Sequence, residues 1–330
     1  MSIYFKGLCQ RLLKYTLNMF IPKGCELMFN IPDIPTLLQQ LMNGITLGGL
    51  FALIAVGYTM VYGILRLINF AHCDIVMMAM YIAFFIIPSD FRLWGLGFVV
   101  VILCTAVLGV GVEKVAYAPL RKQNAPKLSM LISAIGVSYF LENLATVVFT
   151  GVPKTFPQIP FFVSTFKVGP VILQRLAIIT PIVTLVIMAL LILLINKTKS
   201  GMAMRAVSKD LETAKLMGID VAKTISYTFA IGSAIAAVGA ILWGLKYPKI
   251  TPTVGIMPGL KCFIAAVIGG IGNVKGAVIG GMLLGFIEVM AVTFFPSLSA
   301  YKDIFAFALL IIILLFRPNG LIGEKIAEKV

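Results

Sequence analysis

The sequence predicts an all-α fold, a polytopic membrane helical bundle, from three observations. Hydrophobic residues make up 60% of the 330, and 30 glycines bring the apolar share to about 69%, where soluble domains hold roughly 45–50%. Charged residues are only 12%, too few to cover a globule of 35.7 kDa, and the mean hydropathy is +1.04. Uncharged runs recur at lengths near the ~20 helical residues that cross ~30 Å of hydrocarbon. A water-soluble fold and a disordered chain are both excluded by these figures.

Nine apolar segments follow in order. Residues 36–65, 75–89 and 93–112 carry no charge, and 128–150 carries only Glu142. Residues 176–196, 224–245 and 262–274 carry none, 276–295 carries only Glu288, and 304–316 closes the series with none. Eight to nine spans are therefore expected, two of them short. At 1.5 Å per residue, 75–89 and 262–274 reach only about 20 Å. Each follows polar or helix-breaking residues, Arg66 to Asp74 in one case and Tyr247-Pro248 to Pro258-Gly259 in the other. These two are predicted to be broken or re-entrant helices, because irregular backbone at membrane depth is tolerated only against protein or a water-filled cavity. The plainer reading is two short helices tucked among longer neighbours.

Basic loops set the orientation. Residues 113–127 hold Lys114, Arg121, Lys122 and Lys127 against Glu113, and residues 197–223 hold six basic residues against three acids, so both are expected in the cytoplasm. Segment 151–175, broken by Pro153, Pro157, Pro160 and Pro170, is expected outside with a short hairpin. Strict alternation then places the C-terminus inside and residues 1–35 outside, in conflict with Lys6, Arg11, Lys14 and Lys23. Residues 1–35 are accordingly separated as a basic N-terminal extension, and 36–330 form the membrane domain. A mis-assigned span, an interfacial basic helix or a natural start at Met28 would each resolve the conflict. No apolar run of seven or more follows the basic residues before Pro22, which argues against a signal peptide.

The net charge of +14 is read as a topology signal, since no basic face with interleaved aromatics offers itself to nucleic acid. Cys9, Cys25, Cys73, Cys104 and Cys262 are scattered and form no C-x-x-C pair, so neither a disulfide framework nor a zinc site is expected. With His72 the only histidine, no metal centre is expected either. No G-x-x-x-x-G-K-[ST] occurs, so the chain is read as a non-enzyme without a nucleotide or other cofactor of its own. The glycines of Gly270 to Gly276 only superficially resemble a dinucleotide fingerprint, having one residue too many, and are read as a cytoplasmic turn.

Polar residues placed against this apolar background are the candidates for function. Asn69, His72 and Asp74 crowd the junction before the first short helix, where they line a path or, more simply, where Asp74 caps the helix and His72 holds the break. Glu142 and Glu288 are the acids inside spans; they must face the bundle interior and find a partner, and with Asn69, His72 and Asp74 they are the candidate translocation-path residues. Gly44, Gly48 and Gly49, with Gly276, Gly280, Gly281 and Gly285, repeat at intervals of about four and are read as helix-packing positions. In 197–223, Ser208 is expected to cap a short helix, Leu211, Ala214, Leu216 and Met217 to form an apolar edge, and Gly218 to end it.

Glu212-Thr213-Ala214-x-x-x-Gly218 fits the E-A-A-x-x-x-G loop by which permease subunits of ABC importers dock onto their ATPases, with Thr in place of the middle Ala. Together with NGITLGGLFALIAVGYTMVYGILRLINFAH (43–72), LISAIGVSYFLEN (131–143), GMAMRAVSKDLETAKLMGID (201–220) and AAVIGGIGNVKGAVIGGMLLGFIE (265–288), the chain resembles the branched-chain amino-acid ABC transporter permease family, its first (LivH-type) permease subunit. It departs at Cys73-Asp74, where Gly-Glu is usual, and at Glu142, where an amide is common. The resemblance implies a multi-pass subunit of the bacterial inner membrane that imports leucine, isoleucine or valine. It further implies a homologous second permease, two cytoplasmic ATP-binding subunits that hold ATP and Mg, and a periplasmic or lipid-anchored substrate-binding protein. Arg205, Glu212, Ala214 and Gly218 become the ATPase-docking positions. Two rivals are a permease of the same group for a sugar, nucleoside or short amide, and an intramembrane enzyme using His72 and Asp74.

Overall fold

The computed structural model describes residues 32–87, 94–169 and 171–323. The N-terminal extension up to residue 31, Met28 included, lies outside them. Among the described residues seven helices are long and apolar enough to cross a membrane, and two further apolar helices are shorter.

The first helix, α1 (Ile34–Leu65), begins with Pro35 in its first turn, where a missing N–H costs nothing, and ends at Arg66 in the left-handed region (φ 53°). Every residue from Thr46 to Val61 is buried, so this stretch of α1 has no lipid face and forms the axis of the bundle. The later helices Arg175–Lys197, Val221–Lys246, Ile256–Gly269 and Val274–Phe294 pack around it.

The short α2 (Ala71–Ile86) follows after a five-residue break, and α3 (Trp94–Val112) returns. Here the structure corrects the sequence reading of 113–127 as a loop. The helix continues through a π-helical turn, Glu113–Tyr117, into α4 (Ala118–Lys122). Pro119 has no N–H for the carbonyl of Val115 and its ring crowds that turn, which is why the backbone widens just before it. The acid in this turn, Glu113, is buried and held by Arg121 Nη2 at 2.9 Å and Ser226 Oγ at 2.7 Å.

Helix α5 (Lys127–Phe149) leads to the segment expected outside, which holds β1 (Lys154–Thr155), α6 (Pro160–Val163) and a hairpin of β2 (Thr165–Val168) and β3 (Val171–Gln174). Gly169, at φ 61°, makes the tight turn possible. Then come α7 (Arg175–Lys197), α8 (Lys199–Lys209), α9 (Leu211–Leu216) and α10 (Val221–Lys246). The strand β4 (Lys249–Ile250) pairs antiparallel with β1, and α11 (Ile256–Gly269), α12 (Val274–Phe294) and α13 (Lys302–Phe316) complete the bundle.

Two details show how the interior satisfies its backbone. Pro181 lies within α7 and leaves the carbonyl of Ala177 without its helical donor, and Thr46 Oγ1 of α1 shares its proton between that oxygen at 3.1 Å and Met42 O of its own helix at 2.7 Å. Thr184 Oγ1 meanwhile reaches Gly49 O at 3.2 Å, stitching the same two helices one turn on. The glycines make the second detail. A Cβ on Gly48 would lie 2.8 Å from the Met282 Cα, one on Gly281 2.6 Å from the Ala52 Cα, and one on Gly285 would collide with the Gly48 backbone, with Gly44 facing Phe286 beyond them. Gly276 and Gly280 face Gly269 and Ala265 of α11 instead, and Gly49 faces Thr184 of α7. Close backbone approach replaces the hydrophobic drive that lipid cannot supply.

Candidate functional site

Three groups of residues converge at different depths of the bundle. The first is the helical segment α8–α9 at one end. Thr198 caps α8 by accepting from the Gly201 N–H, and Asp210 caps α9 by accepting from the N–H groups of Glu212 and Thr213. Ser208, expected as a cap, is instead the last turn of α8, with its hydroxyl bonded to Arg205 O. Its carbonyl accepts from Arg66 Nη2 at 3.1 Å, tying this segment to the end of the axial helix. Arg205 is exposed and reaches Asn196 Oδ1 at 3.2 Å.

On α9, Ala214 is 3% exposed and anchors the helix, whereas Leu216 and Met217 are 86% and 77% exposed. The expected apolar edge is thus split: its small member faces inward and its large members face out. Gly218 ends α9 at φ 80°, with its N–H on Lys215 O and that of Ile219 on Ala214 O, the pair of bonds that closes a helix on a left-handed residue. Nothing lies within 4 Å of a Cβ built there, so the backbone angle and not space requires glycine. Glu212 is exposed on the same helix. Next to it Asp220 caps α10, and the Lys223 N–H, with its side chain, holds the Asp220 carboxyl below the usual carboxylate range.

The second group surrounds the breaks. The two short helices begin at Ala71 and Ile256, not at 75 and 262. Asp74 is therefore no N-cap; that position is Phe70, and Asp74 sits inside the first turn with its carboxylate accepting from Ser138 Oγ of α5. Asn69 accepts from the Tyr117 hydroxyl at 2.7 Å, and His72 stands edge-on to Tyr58, their ring centroids 5.8 Å apart, beside Gly57 of α1. All three are buried. Gly57 precedes the end of α1 by about 12 Å of helix rise, so α2 starts well inside the bundle. The start of α11 meets it there, with Gly255 and Gly259 pressed against Cys73. Cys73 is helical, and no left-handed turn occurs at this point. Glu142 is half-buried on α5, one turn beyond Ser138.

The third group was missed by sequence reasoning except for one member. Glu288 is buried, and its Oε1 accepts from Lys261 Nζ at 2.8 Å, with Lys302 Nζ at 3.7 Å. Lys261, itself buried, also binds Asp303 Oδ1 at 2.6 Å. Lys261 sits just before a charge-free run and Asp303 just before another, so both look like span-end residues in sequence. The requirement that an intramembrane charge find a partner was the one signal available, and it named no partner. No group of three or more metal-ligating side chains occurs among the described residues.

An axial helix buried on all sides, short helices that start inside the bundle and a capped segment projecting from one end define a multi-pass membrane transport protein. The chain belongs to the family described as branched-chain amino acid transport system, permease component, which matches residues 40–314. It is 42% identical over 312 residues to the high-affinity branched-chain amino acid transport permease BraD of Pseudomonas aeruginosa, covering 91% of this chain and 100% of that one. It is 40% identical over 306 residues to the corresponding permease LivH of Escherichia coli, covering 89% and 97%. A shorter match, 30% over 142 residues, links it to the probable branched-chain amino acid permease LivM of Methanocaldococcus jannaschii, covering 39% of this chain and 41% of that one. No solved structure matched the chain.

Proposed function

We propose that this chain is one permease half of an ATP-driven importer of branched-chain amino acids in the bacterial cytoplasmic membrane. Its partners in this reading are a homologous second permease, two ATP-binding subunits and an external substrate-binding protein. The observation that carries it is α9, a short helix presenting the exposed Leu216 and Met217 beside Glu212 while Ala214 anchors it to the bundle. A rigid helix of that kind suits a groove on a partner, and the partner's displacement passes into the spans it touches. Val207 and Met204 of α8 are buried, and Arg66 ties Ser208 to α1, so a push on α9 reaches the axial helix through packed atoms. Arg205, Glu212, Ala214 and Gly218 are the docking positions. Asn69, His72 and Asp74, where two short helices start together, are the path residues, with Glu142 on α5 and Glu288 on α12.

The test is labelled leucine uptake and ATP hydrolysis measured together in proteoliposomes holding the full complex and its receptor. Replacing Glu212 and Gly218 by Ala leaves insertion intact and lowers uptake about tenfold or more, the effect of losing an anchor worth ~1.4 kcal/mol or above, while hydrolysis continues. Full uptake by this double variant would refute the docking assignment. Unlabelled isoleucine and valine compete with leucine, whereas competition by a sugar or nucleoside alone moves the chain to another solute.

A further inference from the structure

Helix α5 differs from the other spans in what it shows to its surroundings. Between the ends of α3, α7, α12 and α13 the exposed positions hold only aliphatic side chains, Phe, Gly, Ala and Cys104, all of which suit a hydrocarbon solvent. Helix α5 exposes Tyr139, Asn143 and Thr146 as well, with Gly136 one turn before them and Glu142 half-buried beside them. Positions three and four apart on a helix are neighbours, so these residues form one continuous polar flank, while Phe140, Leu144 and Val147 form an apolar one. The polar flank starts at Ser138, where α5 meets Asp74, and runs outward from there through Glu142.

Depth makes this flank costly in lipid. At 1.5 Å per residue Tyr139 lies about 15 Å, and Asn143 about 9 Å, from the Phe149 end of α5, so both fall within the ~30 Å of hydrocarbon. Tyrosine belongs at the membrane–water boundary, where its hydroxyl stays wet. Tyr139 is 64% exposed at mid-span, and its hydroxyl has no partner among the described residues. Asn143 donates to Tyr139 O at 2.7 Å, but its own amide oxygen accepts from none of them, and Glu142 makes no ion pair with any. Lipid supplies a partner for none of these atoms. The flank lies on the outside of the bundle, so its cover comes from another chain. At this depth that cover must be a membrane helix, whose backbone satisfies itself, bringing donors to Glu142 and Asn143. Gly136, with nothing within 4 Å of a Cβ built there, leaves room for it to approach closely. Among the partners in the importer reading, the second permease alone lies in the membrane.

We propose that the flank of α5 formed by Gly136, Tyr139, Asn143 and Thr146 is the surface on which the second, homologous permease packs, with Glu142 at the seam between that contact and the path residues. The proposal rests on the importer reading above and adds to it which face of this chain the second permease covers. Leu185 of α7, 60% exposed among aliphatic neighbours, faces lipid in the same assembly.

The test replaces Tyr139, Asn143 or, as a control, Leu185 by photo-reactive benzoylphenylalanine in the tagged full chain, in membranes that carry the whole importer, and identifies each product by mass. Light joins positions 139 and 143 to the second permease and joins 185 to lipid alone. Asn143→Leu, close in volume and better suited to lipid, and Gly136→Leu, which fills the approach, each leave the amount of this chain in the membrane unchanged and lower the second permease recovered with it about tenfold, whereas Leu185→Phe changes neither. These variants decide the matter should the photo-reactive ones fail to insert. Products of 139 and 143 with lipid alone, with a second copy of this chain or with any other protein overturn the surface, as does unchanged recovery of the second permease with both leucine variants. Labelled leucine uptake by the unmodified importer runs in parallel: uptake without the expected products removes the surface alone, and no uptake removes the importer reading itself.

Discussion

Glu288 and Lys261 stand 27 residues apart in sequence yet 2.8 Å apart in space, and each is the nearest buried counter-charge of the other within a cluster that Asp303 and Lys302 complete. Taking one partner away strands a buried charge, which typically costs 3–5 kcal/mol. Lys261→Met should therefore lower the thermal stability of the purified complex steeply, and adding Glu288→Gln to it should recover most of the loss; equal melting of the single and double variants would contradict the pairing. Gly218 obeys a different constraint. At φ 80° a Cβ costs roughly 1–2 kcal/mol, so Gly218→Ala should speed amide hydrogen exchange across 211–217 and leave the global melting point unchanged. Asp220 adds a pH dependence of known sign. Its carboxyl is held below the ordinary 3.8 in the folded chain by the Lys223 N–H, so its contribution is complete above that value and lost as pH falls below it. Faster exchange at the start of α10 in acid, abolished by Asp220→Asn, is the expected result.

At the scale of elements, two prolines reshape their helices and the neighbours adjust. Pro181 frees the Ala177 carbonyl and Thr46 takes it up, which makes a prediction specific to the pair. Thr46→Val alone should cost about 0.6–1.7 kcal/mol, the range of hydrogen bonds between membrane helices. In a Pro181→Ala background the cost should shrink toward zero, because residue 181 then supplies the missing N–H itself. Additive losses in this double-mutant cycle would show that the threonine does not compensate the proline. The element boundaries were readable to within a few residues where charges end a span, as at Lys197 and Lys246. They were misread where the chain stays helical through polar residues. Residues 113–122 carry four charges and look like a loop, but Glu113, Arg121 and Ser226 neutralise one another inside the bundle and the helix runs on.

At the scale of the molecule, a tightly packed seam contrasts with a small capped segment. The axial α1 and α12 approach so closely at Gly48, Gly281 and Gly285 that no side chain fits between them. Gly48→Leu or Gly285→Leu must push backbones apart, and complexes bearing either should assemble in markedly lower yield, measured by purification against wild type. The same substitution at Gly111, where a Cβ meets nothing within 4 Å, should be tolerated. The α8–α9 segment, by contrast, is small, capped and attached to α1 through Arg66, the arrangement needed if it moves as one piece with the spans it joins.

What the sequence determined by itself was the solvent and the run of nine apolar segments, because charge and hydropathy act along the chain and are read there directly. It also placed the two short helices, since breaks announce themselves through proline, glycine and polar residues. Only the tertiary structure decided that those helices start side by side at Cys73, that Thr46 answers Pro181, and that Glu288 shares Lys261 with Asp303. Each of these depends on which faces of distant helices are brought together, and in a chain this apolar many faces are chemically alike, so the choice among them is made by close packing and by the few polar groups that must find one another.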